Sequence, residues 1–174
     1  AGAYEYFWAR AARYLPVLKL VGGNVQEAFR KLHIAAQKSL YGGPTAHNSL
    51  AFMYGEETNF AEADRYIDAM LQQYPGGRTF VWNKAELEYN KGNFQSALAY
   101  YQRLFDAYDS IDTKNYSNLA QCRLYIGKCH YETGNKTSAK EAMKDVIGYK
   151  KFSDEYPKIK TYCREAYGLL SRIF

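Results

Sequence analysis

Apolar and small residues recur along the chain in blocks that start at an Asn and advance by four, four and three places. Four such blocks open with GNVQEA (23–28), TNFAEA (58–63), GNFQSA (92–97) and GNKTSA (134–139). In each, an Ala follows the Asn by four residues (Ala28, Ala63, Ala97, Ala139). A larger side chain comes four later (Leu32, Ile67, Tyr101, Met143), and another apolar residue three beyond that (Ala35, Met70, Leu104, Val146). That spacing lines one face of a helix. A second helical pattern runs up to each turn, clearest in Leu50-Ala51-x-x-Tyr54 and in Ile126-Gly127, so the unit is helix, Gly-Asn turn, helix. Gly or Asn takes the left-handed conformation that ends the first helix, and Asn caps the next. The recurring Ala marks the expected close crossing of the paired helices, where a larger side chain would cost about 1–3 kcal/mol in overpacking.

The four blocks are offset by 35, 34 and 42 residues. A 34-residue helix-pair unit with a small residue in its first helix, Ala and a bulky apolar residue in its second, and a closing Pro resembles the tetratricopeptide repeat family. The copy from Pro44 to Gly77 carries the resemblance best, through Leu50, Ala51, Tyr54, Ala63, Ile67 and the closing Tyr74-Pro75. The resemblance implies an all-α fold: a right-handed superhelical solenoid of antiparallel helix pairs in a single domain, 1–174. The expected units lie at about 9–42, 44–77, 78–111 and 120–153. The front copy is degenerate, because Pro16 falls within its first helix and should kink it; LVGGN reads as a helix end. About eight extra residues before the last unit fall in FDAYDSIDTKNYSN, as longer helices or an added loop. The stretch of about 156–173 reads as a capping helix, with Ile159, Tyr162, Cys163, Ala166, Leu169 and Leu170 on one face.

Within the copy at 78–111, Lys84 and Glu88 stand where apolar residues would face the core. They are four apart on one face and read as a semi-buried ion pair that holds packing register, or alternatively as a polar feature that reads a ligand. Cys122 and Cys129 are seven apart on one expected helix, too far to bridge, and an odd total of three with no CxxC predicts buried free thiols.

Candidate chemistry is sparse. His33, His47 and His130 fall in different units without a Cys, Ser or carboxylate at triad spacing. Cys129-His130 point about 100° apart on a helix, HExxH is absent, and Gly127-Lys128 is followed by Cys129 instead of Ser or Thr. No enzyme activity, metal or cofactor is expected. The Asn115-Tyr116-Ser117 and Asn135-Lys136-Thr137 triplets are read as chance. No run of about 18 apolar residues predicts a membrane span, and the first residues lack the layout of a signal peptide. The compartment stays open, as does whether the sequence is a processed piece.

What remains is surface. In tetratricopeptide stacks the first helices line a concave groove that holds peptides or partner helices. The groove places fall on Asn48, Ser49 and Phe52, on Trp82, Asn83, Glu86 and Tyr89, and on Gln121, Leu124, Tyr125, Lys128 and Tyr131. Rigid aromatics with amides suit protein recognition, so the resemblance implies a protein–protein interaction module or scaffold that takes a peptide or partner segment. The family's clamp for chaperone C-terminal carboxylates uses Lys, Asn, Asn, Lys and Arg. Only Asn83 matches it, since Asn48 and Phe52 stand for its first Lys and Asn, and Gln121 and Tyr125 for its last Lys and Arg. A net charge of +5 and 18 tyrosines keep an RNA-reading helical repeat as an alternative, although the groove places change from unit to unit without a code-like regularity. A self-assembling or structural domain that supports a neighbouring domain of a larger protein, with homo-oligomers formed through exposed stack ends, is the other.

Overall fold

The structure, a computed structural model, describes residues 24–39 and 42–173. Among them are eight α-helices and no strand. They are α1 (Val25–Lys38), α2 (Gly43–Glu56), α3 (Phe60–Gln73), α4 (Arg78–Asn90), α5 (Phe94–Asp109), α6 (Tyr116–Glu132), α7 (Lys136–Gly148) and α8 (Lys158–Ile173), with a 3-10 turn at Tyr149–Phe152. Pro16, Gly22-Gly23 and half of the degenerate front unit lie outside the described residues. The chain divides into two compact units, up to Asn83 and from Lys84 onward, so the boundary falls inside α4.

The turns follow from their sequence. Thr58, Gly92 and Gly134 take positive φ of 60°, 81° and 80°. Behind each, the Asn amide donates five residues back along the chain, Asn59 to Tyr54 O, Asn93 to Glu88 O and Asn135 to His130 O. Thr58, Gly92 and Gly134 themselves donate to Gly55 O, Tyr89 O and Tyr131 O, which completes the two-bond helix ending that a left-handed residue permits. The Asn side chains then start the next helix: Asn59 Oδ1 accepts from Glu62 N and Asn135 Oδ1 from Ser138 N, and Asn24 and Asn115 act alike at α1 and α6. Asn93 makes no such cap, because its side-chain amide is turned to Glu88.

The recurring small residues sit where the sequence places them. Ala28, Ala63, Ala97 and Ala139 are fully buried, and Ala51, Ala85 and Gly127, each eight residues before a turn Asn, are buried as well. A Cβ built on Gly127 would fall on Met143 Cε and lie 3.1 Å from Ala142 Cβ. A side chain at this crossing of α6 and α7 would therefore have to displace the end of Met143. Gly127 faces residues 139–143 near the turn while Tyr116 stacks on Phe152 at the far end, so this pair runs antiparallel. Tyr162 bonds to Gln121 and Glu165 to Lys128, so α8 runs parallel to α6, as successive first helices of a repeat should. The core of this unit gathers Ala120, Leu124, Met143, Val146, Ile159, Tyr162, Cys163 and Ala166, and the expected face of the capping helix is the buried one. Cys122, Cys129 and Cys163 are free and buried.

The 42-residue spacing is explained by both helices and the loop. α5 has 16 residues against 14 in α3, the following connection six against four, and α6 17 against 13 in α4.

Lys84 and Glu88 are both buried, and their ends lie 3.5 Å apart. Glu88 is more closely held by Lys91 Nζ, which donates at 2.8 Å, and by Asn93 Nδ2 at 2.9 Å. Burial opposes ionisation of Glu88, but the bonds from Lys91 and Asn93 and the charges of Lys91 and Lys84 outweigh it and hold the carboxyl below its ordinary value. The carboxylate ties the end of α4 to the turn before α5, which accounts for a charged residue at a core position.

Two predictions follow from the turns and the buried charge. Thr58→Gly should stabilise the fold by about 1 kcal/mol by removing left-handed strain from a β-branched residue. Gly134→Ala should cost about 1 kcal/mol, although a Cβ there meets nothing within 4 Å, because φ alone resists it; urea denaturation of both variants reads the difference. Glu88→Ala should cost about 3 kcal/mol at neutral pH by removing the carboxylate held beside the buried Lys84 and the half-buried Lys91. Because the folded value is depressed, that contribution is present above the ordinary glutamate value and is lost as the pH falls through the lowered one. Parallel urea titrations at neutral pH and about pH 3 should show the gap between wild type and variant closing in acid.

Candidate functional site

The expected groove residues divide between the two units. In the unit up to Asn83, Asn83 Nδ2 donates to Asn48 Oδ1 at 2.8 Å, joining α4 to α2. Ser49, Phe52 and Trp82 are half-buried on the same two helices. Beside Asn48, a small cleft of about 230 Å³ is bordered by Pro44, Thr45, Arg78 and Phe80. His33, for which the sequence offers no triad partner, is bonded on both ring nitrogens: Nε2 lies 3.0 Å from Tyr54 OH and Nδ1 2.9 Å from Tyr66 OH. The two phenol rings stack at 5.7 Å between centroids. The contact between α1, α2 and α3 is thus polar and aromatic at its centre, which no spacing rule in the sequence announces.

In the unit from Lys84 onward, Glu86, Tyr89, Tyr125, Lys128 and Tyr131 are all half-buried on α4 and α6. Tyr89 meets Tyr125 edge to face at 5.7 Å, and Tyr125 stacks on the buried Tyr101 at 4.8 Å. Stacking on a core ring fixes Tyr125 as a rigid platform. Lys128 Nζ sits 4.7 Å over the Tyr125 ring and 2.7 Å from Glu165 Oε2 of α8. Burial, with help from Glu86 and Glu165, pushes the Tyr125 phenol up to about 12. Tyr89 is raised in the same way, by burial and then by the charges of Glu132, Cys129 and Glu165. Three carboxylates thus act on this tyrosine pair, and one lysine stands among them.

One groove position needs correcting. Leu124, expected to face a partner, is 1% exposed and belongs to the core between α6, α7 and α8. Because α8 packs along α6, the face of α6 that carries Ala120 and Leu124 is covered by Ile159, Tyr162 and Cys163. Gln121 on the neighbouring strip is half-buried and accepts from Tyr162 OH at 3.0 Å.

Residues 77–150 match the family model of the tetratricopeptide repeat. Over these residues the chain is similar to the tetratricopeptide repeat family. The match spans α4 to α7, two consecutive helix pairs. Tetratricopeptide repeats are in general protein–protein interaction modules and typically scaffolds rather than enzymes. No curated protein matches the chain significantly. No described helix is long and apolar enough to cross a membrane.

The repeat register singled out the tyrosines and Lys128 as groove places. It missed Glu165, which reaches the site from α8. The cue was available: α6 and the capping helix share a repeat-like register, so residues 37 apart, such as Lys128 and Glu165, meet.

A raised phenol value has a testable consequence. Tyr125 stabilises the fold while neutral, fully below its ordinary value of 10.0 and progressively less as the pH rises through about 12. Tyr125→Phe should therefore lose less stability than wild type over that alkaline window, measured by the helical circular dichroism signal.

Proposed function

We propose that the face formed by Glu86, Tyr89, Tyr125, Lys128 and Tyr131 docks an extended segment of a protein partner, and that the segment is basic. The observation that carries this reading is the cation already seated there. Lys128 lies over the Tyr125 ring and is closed by Glu165, so the platform accepts a positive charge on its aromatic face with a carboxylate at its rim. Glu86 and Glu132 extend the negative field around the same tyrosines. The chain as a whole is positive, at +5, so this local sign is not a reflection of net charge. An Arg or Lys from a partner would find ring faces and carboxylates here, whereas a phosphate backbone would be repelled, which weighs against the RNA alternative.

Asn48, Phe52, Trp82 and Asn83 are proposed to serve the same role in the other unit, with the Asn48–Asn83 pair offering its remaining donors and acceptors to a peptide backbone. No cofactor takes part.

The reading is tested by fluorescence polarisation with a labelled peptide of alternating Arg and Leu, against the same peptide with Glu in place of Arg. The wild type should prefer the Arg peptide, and Glu86→Lys/Glu165→Lys should weaken that binding by about tenfold or more, equivalent to about 1.4 kcal/mol, with helical content unchanged. A preference for the Glu peptide at this face, or Arg-peptide binding indifferent to the double reversal, would overturn the reading.

A further inference from the structure

The most distinctive unassigned feature lies elsewhere in the same unit. The ends of α5 and α7, the start of α6 and the 3-10 turn enclose a cleft of about 550 Å³. Its rim carries three cations, Arg123, Lys144 and Lys151, against one carboxylate, Asp145, and its walls are aromatic, from Phe105, Tyr116, Tyr149 and Phe152. None of these residues belongs to the tyrosine face described above. The longer helices and added loop that break the 34-residue period help to build it, since Tyr116 is the first residue of the lengthened α6.

We propose that this cleft binds a short acidic segment of a partner protein through its carboxylates. Its cations are only partly committed. Arg123 Nε is 3.5 Å from Asp145 Oδ2, well beyond the roughly 2.7–2.9 Å of a strong charge-assisted bond, and the guanidinium carbon lies over the Phe105 ring, 4.2 Å from its centre. That position is pre-organised, so an incoming carboxylate meets a fixed fork and not a mobile chain. Lys144 and Lys151 are exposed beside it, and Lys151 Nζ rests 5.1 Å from the Phe152 ring centre.

The state of the rings decides between an acidic peptide and a single-stranded nucleic acid. A base needs an open aromatic face to stack on. Here Phe105 is covered by Arg123, and Phe152 by Tyr116, parallel at 3.6 Å, as well as by Lys151. Ring edges carry the positive end of the quadrupole and suit carboxylate oxygens. The three cations also line a single cleft. Both features favour carboxylates over a polynucleotide.

The test uses the chain with a labelled Glu-Asp-Leu-Glu-Asp peptide, its Gln-Asn-Leu-Gln-Asn counterpart and a labelled oligouridylate. Because the net charge attracts any anion, two charge-matched variants are compared, Lys144→Glu/Lys151→Glu in the cleft and Lys136→Glu/Lys158→Glu at exposed sites outside it. Saturable binding of the acidic peptide is expected below about 1 mM, lost at least about tenfold in the cleft variant, retained in the control variant and absent for the amide counterpart. No saturation by about 1 mM, equal loss in both variants, or tighter binding of the oligouridylate at the cleft would each overturn the proposal. The Glu86→Lys/Glu165→Lys chain should bind the acidic peptide as before, so failure here and failure at the tyrosine face are separately readable.

Discussion

The close approach of two helices in each pair is the constraint on which the rest depends. It needs a small residue eight places before the turn Asn and an Ala four places after it, and the described pairs supply Ala51 with Ala63, Ala85 with Ala97, and Gly127 with Ala139, all buried. At α6 and α7, Met143 closes over Gly127. Once the helices cross this closely, the bulky residue eight after the Asn must enter the core. Ile67, Tyr101 and Met143 all do so, and each is fully buried. The large aromatic in that position has a further effect. Tyr101 is the ring on which Tyr125 stacks, so the packing rule that builds the repeat also fixes the platform of the candidate site.

Much of this was legible in the sequence because the signals were local and repeated. The left-handed turn residue, the Asn cap and the 3.6-residue stripe each act over a few residues, and they placed the pairs around Asn59, Asn93 and Asn135 correctly. Thr58 shows how strong the register is, since a β-branched residue is held at φ 60° to preserve it. What the sequence did not disclose depends on contacts between elements. Leu124 looked surface-facing from its repeat position, yet the capping helix covers it. Asn93 looked like a cap, yet Glu88 takes its amide. The 3-10 turn at Tyr149–Phe152 and the cleft it helps to close come from the departure in period, where a repeat template says least.

Charge gives the unit from Lys84 onward its chemical character. The tyrosine face concentrates carboxylates around a cation seat, and the α5–α7 cleft concentrates cations around covered rings. Opposite signs on separate surfaces would let one small domain hold two unlike segments, an arrangement suited to a scaffold and consistent with the interaction role general to tetratricopeptide repeats. The family match over residues 77–150 covers the helices that build both surfaces, while Glu165 on α8 lies beyond it.

The central claim is that the tyrosine face is where a basic partner segment lies. Backbone amide shift mapping by NMR during titration with the Arg–Leu peptide tests it most directly. The account predicts the largest shifts at Glu86, Tyr89, Tyr125, Lys128 and Glu165, with those around Phe105, Lys144 and Lys151 unmoved. Shifts concentrated at the cleft, or spread evenly over exposed acidic residues, would contradict it.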